Sequence, residues 1–301
     1  NEEENLQILY DRLINTFSNT NYNVEILFVY DCDQDNSLQI IKNLSEKDSK
    51  VKYIEFSRNF GHQIAISAGI EHATGEAIII MDGDLQDPPE LLPSLIDKYK
   101  EGFEVVYAKR KKRDGVGFFK SMSYKLFYRL LKILSPIDIP LDTGDFRIIG
   151  RKMANVLNQM PEQEKFVRGQ IAWAGFKQTY IEYDRDARLS GEPGYTFSKL
   201  LKLALDGIFS FSNIPLRIAT VAGLTVSFIS FLFIIWVLIQ RFTHPNYDIQ
   251  GWYSLMVSVL FIGGVQLISI GLIGEYISRM NSNMKNRPLY IVKDKNTSPN
   301  N

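Results

Sequence analysis

Short apolar runs alternate with helical patterns over the first two thirds of the chain. Runs rich in β-favouring residues lie at 24–30, 51–56, 77–81 and 104–108, and segments with apolar residues at helical spacing separate them. Strands that alternate with helices in this way usually pair in parallel through crossover helices. The pattern therefore predicts an α/β domain built on a parallel sheet.

The chain opens on a helical pattern with no strand before it. Leu6, Leu9, Leu13 and Phe17 recur at helical spacing directly after a polar start. Because a sheet of this kind usually begins with a strand, we predict that the domain, residues 1–194, lacks its first strand here.

Two long apolar runs follow, at residues 218–239 and 252–274. Each is long enough to cross a bilayer and carries only scattered Ser, Thr and Gln, so we predict a two-span transmembrane domain over 215–278. Basic residues flank the pair of runs, whereas the connecting loop is poor in them. The positive-inside rule therefore places the α/β domain and both termini in the cytoplasm, at the cell's inner membrane. The tail, 279–301, is polar after Lys293, and we predict that this end is disordered.

Two further segments combine basic residues with an apolar face. Residues 118–134 follow a basic cluster at 109–113, and their pattern fits either an ordinary surface helix or one lying beside a membrane or an anionic substrate. Residues 195–214 lead directly into the first apolar run. We therefore predict an interfacial amphipathic helix there.

Composition narrows the function classes only a little. Lys and Arg together number 34, as do Asp and Glu, so the net charge of zero gives no argument for a nucleic-acid partner. The single cysteine, Cys32, excludes an internal disulfide and fits a reducing compartment. We interpret it as a small turn residue.

Two carboxylates, Asp82 and Asp84, follow directly after the apolar run at 77–81. Side chains two apart on an extended backbone point the same way, and Gln86 continues the alternation with a third oxygen. Such hard oxygen ligands suit Mg²⁺ or Mn²⁺ bound together with phosphates. In isolation the motif would indicate a solvated turn. Its position favours the metal, because open α/β sheets bind ligands at the carboxyl ends of their strands.

Two other polar residues have structural interpretations. Asp87 is followed by two prolines and Glu90, a pattern typical of a helix N-cap with a capping box. His62 lies near the start of a predicted helix, and we interpret it as a packing or capping residue.

Five motifs occur in order along the chain: Arg-Asn-Phe-Gly at 58–61, Met-Asp-Gly-Asp-Leu-Gln-Asp-Pro-Pro-Glu at 81–90, Thr-Gly-Asp-Phe-Arg at 143–147, Phe-Val-Arg-Gly at 166–169 and Asn-Arg-Pro-Leu-Tyr at 286–290. Together they resemble glycosyltransferase family 2, in particular its polyprenyl-phosphate glycosyltransferases, such as dolichol-phosphate mannose synthase and the undecaprenyl-phosphate glucosyltransferases. The resemblance covers nearly the whole chain, including both apolar runs. It implies a type A glycosyltransferase fold with a Rossmann-like, mostly parallel sheet. It also implies metal-dependent transfer of a sugar from a nucleotide diphosphate to a lipid phosphate, with inversion at the anomeric carbon.

The resemblance also implies roles for individual residues. The metal set, for Mg²⁺ or Mn²⁺, is Asp82, Asp84 and Gln86. The donor-binding set is Glu2, Asp31, Asp82, Arg110 and Arg113. The catalytic pair is Asp145 and Arg147, and the acceptor phosphate would contact Arg168 and Arg147.

The chemistry of the acceptor argues against a simple base role for Asp145. A phosphate monoester has a second pKa of about 6, so at neutral pH it is mostly a dianion that needs little help to attack. A bare carboxylate beside it would repel it. We therefore expect Asp145 to position Arg147 or Arg168, or to join the metal shell.

The motifs leave two alternatives. A processive polysaccharide synthase would carry an arginine in a Gln-x-x-Arg-Trp motif, which residues 170–173 lack, and would need more than two spans. A non-catalytic membrane scaffold would bind partners through a truncated donor site. We favour UDP-glucose as donor, undecaprenyl phosphate as acceptor, and a homo-oligomer in the membrane.

Overall fold

The computed structural model describes residues 2–32, 35–111, 143–184, 214–243 and 251–297. These residues belong to two compact units. The first contains, in chain order, α1 (Leu6–Phe17), β1 (Ile26–Tyr30), α2 (Ser37–Lys47), β2 (Val51–Phe56), α3 (His62–His72), β3 (Ala77–Ile80), a 3₁₀ turn (Pro89–Leu91), α4 (Leu92–Lys100), β4 (Val105–Arg110), β5 (Thr143–Gly150), α5 (Arg151–Gln159), α6 (Val167–Ala174), β6 (Gln178–Tyr183) and β7 (Val292–Lys295). The second contains α7 (Ile214–Thr243) and α8 (Trp252–Met284).

The strands form two mixed sheets. In the first, β2 lies between β1, which is parallel to it, and β7, which is antiparallel. The second has the order β3-β5-β4-β6, in which β4 and β6 are parallel and β5 runs against both of its neighbours. The α/β class is therefore as predicted. The pairing, however, is more mixed than a parallel sheet, because β5 and β7 enter antiparallel.

One hydrophobic core connects the two sheets. Leu9 and Leu13 of α1 belong to the same buried cluster as Ile26 of β1, Val106 of β4 and Ile148 of β5. The helical spacing of the α1 leucines thus gives that helix one buried face, as the sequence predicted. The described chain begins at Glu2, immediately before α1, so the missing first strand stays a prediction.

The predicted cap at Asp87 was wrong. The 3₁₀ turn that follows has Pro88 at its N-cap and no side-chain cap, and Asp87 is instead fully buried. Its carboxylate accepts a hydrogen bond of 2.7 Å from the Tyr183 hydroxyl. Glu90 does not complete a capping box either, because it binds the Arg12 guanidinium through both carboxylate oxygens. Long-range partners thus replace the local ones that the sequence pattern favours.

The tail was also predicted wrongly, at least as far as residue 297. Residues Val292–Lys295 form β7 on the edge of β2. Asp294 accepts hydrogen bonds from the Lys42 ammonium at 2.7 Å and the Tyr53 hydroxyl at 2.9 Å. The polar residues that suggested disorder are therefore bound by charged and polar groups of α2 and β2.

The described residues of the second unit form two long helices that contact each other. Segments Leu216–Phe233 of α7 and Ser258–Met284 of α8 have the length and composition needed to cross a membrane. Large apolar side chains such as Phe228 and Leu267 are exposed in the isolated chain. As predicted, the part of the chain that the structure describes contains two candidate membrane-spanning helices.

Several predictions lie outside the described residues. These are the helix at 118–134, most of the interfacial helix at 195–214, the loop between the two long helices and the donor-site residue Arg113. They stay predictions.

Candidate active site

The antiparallel pairing of β3 with β5 brings two sequence motifs together. Ile80 of β3 lies opposite Arg147 of β5, so the chain leaving β3 passes the beginning of β5. The two motifs, Asp82-Gly83-Asp84 and Gly144-Asp145, are more than fifty residues apart in sequence. The register places both beside the same end of one sheet.

The backbone turns sharply within the first motif. Leu85 is a buried residue with a positive φ of 60°, a conformation that is uncommon outside glycine. The turn allows Asp84 Oδ1 to accept a hydrogen bond of 3.1 Å from the Gln86 backbone N–H. Asp84 is itself buried, and Asp82 has 33% of its side chain exposed. The buried leucine thus fixes the loop that carries both carboxylates.

Asp145 is the centre of a dense cluster of donors. Arg168 binds it in a bidentate manner, with Nε 2.9 Å from Oδ1 and a terminal nitrogen 2.9 Å from Oδ2. A terminal nitrogen of Arg147 donates to Oδ1 at 2.8 Å. Only 4% of the Asp145 side chain is exposed. Planar guanidinium groups are well suited to such paired contacts with a carboxylate.

The two arginines of this cluster differ in exposure. Arg147 is fully buried, donates to the backbone carbonyls of Gly144 and Asp145, and has its guanidinium 5.3 Å from the centre of the Tyr107 ring. Arg168 keeps 26% of its side chain exposed. Arg147 therefore supports Asp145 from inside the domain, whereas Arg168 is accessible from the surface.

His62 joins the two motifs, which the sequence interpretation missed. Its Nε2 lies 2.9 Å from Asp145 Oδ2 and 3.9 Å from Asp82 Oδ1, and 53% of its side chain is exposed. It is the first residue of α3 and makes no cap there. The packing or capping interpretation is therefore wrong. The only sequence signal was its position directly after the Arg-Asn-Phe-Gly motif.

The surroundings shift the pKa values of the two aspartates in opposite directions. Burial by itself would raise the pKa of Asp145, but the hydrogen bonds from His62 and Arg168 and the nearby positive charge of Arg147 hold that pKa well below its usual range. Burial raises the pKa of Asp82, and although His62 counteracts this, the neighbouring carboxylates reinforce it. The hydrogen bond to Asp145 raises the pKa of His62. Asp145 is therefore an ionised acceptor at neutral pH, and the His62 Nε2 carries the hydrogen between them.

Asp31 supports the loop that precedes His62. Its two carboxylate oxygens accept hydrogen bonds from the backbone N–H groups of Phe60, at 2.7 Å, and Gly61, at 2.8 Å. Gly61 has a φ of 101°, which side chains rarely adopt. A residue predicted to contact the nucleotide thus also fixes the start of α3.

Other predicted donor residues border the same region. The side chain of Glu2 approaches Gly83, where its Cγ lies 3.9 Å from the position that a Cβ would occupy. A terminal nitrogen of Arg110 lies 2.7 Å from the corresponding position at Gly144, so only a glycine fits beneath this guanidinium without displacing it. Glu2 therefore lies beside the first motif and Arg110 beside the second.

The carboxylates beside β3 fit a metal that is shared with a substrate. Among the residues that the structure describes, no group of three or more His, Cys, Asp or Glu side chains is arranged to hold a metal ion. Mg²⁺ bound with phosphates needs only one or two protein carboxylates. The raised pKa of Asp82, which follows from burial and nearby negative charge, indicates a position where a cation would be stabilised. The donor set thus fits a phosphate-bound cation better than an enclosed one.

Known proteins resemble the chain over nearly all of its length. Residues 1–157 match the family model described as glycosyl transferase family 2, and residues 214–280 match the GtrB C-terminal hairpin. The uncharacterised glycosyltransferase YkcC of Bacillus subtilis is 49% identical over 97% of this chain and 90% of its own length. The bactoprenol glucosyl transferase of Shigella phage SfII is 41% identical over 97% of this chain and 94% of its own. A mannosyltransferase from Pyrobaculum calidifontis, solved with GDP-mannose and Mn²⁺, is 13% identical over 96% of this chain and 85% of its own, with a TM-score of 0.45, a likeness too weak for any argument.

Proposed function

This chain belongs to glycosyl transferase family 2, and on that premise we propose that it transfers glucose from a nucleotide diphosphate sugar to a polyprenyl phosphate. UDP-glucose is the favoured donor and undecaprenyl phosphate the favoured acceptor, with inversion at the anomeric carbon. Relatives at 41% identity over nearly the full chain are named bactoprenol glucosyl transferases, which supports both the sugar and the lipid.

The observation that carries the proposal is the meeting of two unlike carboxylates. Burial and neighbouring carboxylates disfavour the ionised form of Asp82, whereas Asp145 lies among cationic donors, with His62 between them. Transfer between a sugar diphosphate and a lipid phosphate requires a cation-assisted leaving group on one side and an anion-binding group on the other. The two halves of the site have these opposite properties.

On the donor side, Asp82, Asp84 and Gln86 would hold Mg²⁺ or Mn²⁺. When bound, such an ion neutralises charge on the departing nucleotide diphosphate. Asp31, Glu2 and the basic residues Arg110 and Arg113 would bind the remainder of the donor. Asp84 and Gln86 are already joined by a local hydrogen bond, which restrains the loop before the donor arrives.

On the acceptor side, Arg168 is the group that we assign to the lipid phosphate. Its guanidinium is partly exposed and is oriented by the bidentate contact with Asp145. Arg147 is fully buried, and we assign it to the support of Asp145 instead of direct phosphate contact. Positioning of the attacking oxygen contributes to rate because it removes the entropic cost of alignment.

Asp145 is proposed to position Arg168 and not to accept a proton. A base must bind a proton during the reaction, yet the pKa of Asp145 is held well below its usual range, against the effect of burial, by His62 and Arg168. The acceptor is already mostly a dianion at neutral pH. If activity of an Asp145→Asn variant vanished at low pH and returned fully above the acceptor pKa, a proton-transfer role would be favoured and this assignment would fail.

The membrane arrangement is part of the proposal. The two candidate spans would place the catalytic domain and both termini on the cytoplasmic side of the inner membrane, where nucleotide sugars are available. Two spans have few other helices to pack against, so we propose a homo-oligomer. Neither a processive polymerase nor a scaffold is favoured, because the relatives named for their activity transfer glucosyl groups to bactoprenol.

The direct test uses purified full-length protein, undecaprenyl phosphate, Mg²⁺ or Mn²⁺ and a panel of radiolabelled nucleotide sugars. We expect a single lipid-linked glucose from UDP-glucose, with the opposite anomeric configuration to the donor. A polymeric product would favour a processive synthase, and the absence of both transfer and donor hydrolysis would favour a scaffold. A different preferred donor would change the sugar and leave the reaction class in place.

A further inference from the structure

His62 lies within reach of both halves of the described site. Its Nε2 is 2.9 Å from Asp145 and 3.9 Å from Asp82. Because Asp145 is ionised and can only accept, this nitrogen donates to it. A single N–H group therefore lies between the carboxylate that orients Arg168 and a carboxylate of the proposed metal set.

The backbone on the N-terminal side of His62 is held by two groups. Asp31 accepts from the N–H groups of Phe60 and Gly61, which fixes the loop before α3. The ring of Phe60 also packs edge-on against Phe56, with ring centres 5.5 Å apart. His62 thus begins its helix from a loop that cannot shift without breaking these contacts.

The backbone on the C-terminal side of His62 is connected to the acceptor side. The side-chain oxygen of Gln63 accepts a hydrogen bond of 3.1 Å from the Val167 N–H, at the start of α6. The next residue of α6 is Arg168, which binds Asp145 through two hydrogen bonds. His62 at the start of α3 and Arg168 at the start of α6 therefore both bind Asp145.

We propose that His62 is a positioning residue for sugar transfer, which sets the orientation of the Asp145–Arg168 pair relative to Asp82. This inference rests on the proposed function and extends it to a residue with no assigned role. The His62 N–H fixes Oδ2 of Asp145, so the Arg168 fork keeps one direction with respect to the donor-side carboxylate. Without His62, Oδ2 keeps Arg168 as a donor but loses its contact with α3, so the pair can turn about the Arg147 contact at Oδ1 and the acceptor phosphate meets the donor in a wider range of geometries.

A packing role does not account for the geometry. More than half of the His62 side chain is exposed, so it buries little apolar surface. Removing it should therefore affect orientation more than stability. Misalignment of about 1 Å at a reacting centre can reduce rates by about a hundredfold.

The test compares three substitutions in the full-length protein, with kcat for transfer and KM for each substrate as readouts. His62→Ala removes the donor, and we expect kcat to fall about 10- to 100-fold, with the KM for UDP-glucose within about threefold of wild type. His62→Gln places an amide N–H near the position of Nε2 and should recover most of kcat. His62→Asn is too short to reach Asp145 and should behave like His62→Ala.

A matched control uses the histidine at the other end of the same helix. His72→Gln removes a histidine that ends α3 and lies beside Tyr290, and we expect its kcat to stay near wild type. Thermal melting of all variants distinguishes lost orientation from lost fold.

In a double substitution, His62→Ala should have little further effect on kcat once Asp145→Asn is present, because both act through one contact.

The outcomes separate this inference from the proposed function. The positioning role would be overturned if His62→Ala kept full activity, or if the glutamine and asparagine variants lost activity equally. It would also be overturned if kcat fell only in variants whose melting temperature fell as well. Wild-type protein that forms no glycolipid from any donor would overturn the proposed function itself. Rescue by glutamine alone, with unchanged binding of UDP-glucose in calorimetry, would support the inference.

Discussion

Asp82 and Asp145 lie on either side of the same histidine nitrogen, yet the protein treats their charges in opposite ways. Asp145 receives N–H donors from Arg147, Arg168 and His62, and these hold its pKa low despite its burial. Burial raises the pKa of Asp82, and the nearby carboxylates reinforce the effect. The charge on Asp145 is therefore stabilised by the protein's own N–H donors. The ionised form of Asp82 is disfavoured, mainly by burial, and a bound cation would stabilise that form.

The difference indicates how the site divides its work. The acceptor side is assembled by the protein's own side chains, so it can orient Arg168 before any substrate binds. On the donor side, the charge on Asp82 is disfavoured by its surroundings, so a metal that arrives with a diphosphate would stabilise it. The same substitution in the two halves should therefore have different consequences for the free energy of unfolding.

Asp→Asn substitutions give the largest contrast. Asp145→Asn leaves the fully buried Arg147 guanidinium without an anionic partner, and we expect it to reduce the free energy of unfolding by about 3–5 kcal/mol. Asp82→Asn removes a carboxylate whose ionised form is disfavoured, so in the presence of EDTA the fold should be unchanged or slightly more stable. Asp82→Asn should lose transfer activity, and Asp145→Asn should have a strongly reduced but measurable kcat. Denaturant unfolding of the two variants and wild type measures the difference in the free energy of unfolding. Equal destabilisation by both substitutions would contradict the prediction.

Arg147→Met should have the next largest effect. It removes a buried donor to Asp145 and to two backbone carbonyls. Because Asp145 retains Arg168 and His62, we expect a smaller loss than for Asp145→Asn, about 1–3 kcal/mol. Melting of the two variants side by side is the measurement. A loss larger than that of Asp145→Asn would mean that the arginine supports the fold through contacts other than the aspartate.

Gly144→Ala tests whether Arg110 belongs to the donor half. An added Cβ would lie 2.7 Å from a terminal nitrogen of Arg110, and the flexible end of that side chain must move. We expect a stability loss of about 1 kcal/mol and an increase in the KM for UDP-glucose. The control is Gly102→Asn, which strains the backbone at a φ of 95° but places its Cβ within 4 Å of no other atom, so it lowers stability without touching Arg110. An unchanged KM in Gly144→Ala would separate Arg110 from donor binding.

The smallest predicted effect is a pH dependence that originates at Asp82. Its pKa is raised in the folded protein, mainly by burial, so the folded state binds a proton more tightly than the unfolded state. Stability should therefore increase as pH falls through the folded pKa, and this contribution is absent once the pH lies well above it. In EDTA, the difference in stability between wild type and Asp82→Asn should shift in favour of wild type as the solution is acidified from pH 7. A difference that does not change with pH would contradict the electrostatic description of the donor side.

Local pattern was sufficient to locate the elements from α1 to β4 and the two long helices, but not β5, α5, α6 and β6. β2 begins and ends where the apolar run does, and α1 follows the spacing of its leucines. The Asp-Gly-Asp motif was identified because it directly follows a run of isoleucines. These features depend on neighbours in sequence, which periodicity reports directly.

Two features had no local signal. β7 consists of Val-Lys-Asp-Lys. This polar stretch forms a strand because it pairs with the edge of β2 and because Lys42 and Tyr53 donate hydrogen bonds to it. His62 looked like an ordinary first residue of a helix. Its importance depends on Asp145, 83 residues further along the chain.

The sequence by itself determined the family motifs, the α/β class, the two apolar helices and the carboxylates at the end of β3, because each is written in adjacent or periodic residues. Tertiary structure alone decided which of these groups meet. The antiparallel register of β3 and β5 brings Asp82 beside Asp145, and the start of α3 inserts His62 between them. Charge depends on surroundings, so only the folded chain could give two aspartates opposite pKa shifts and different roles.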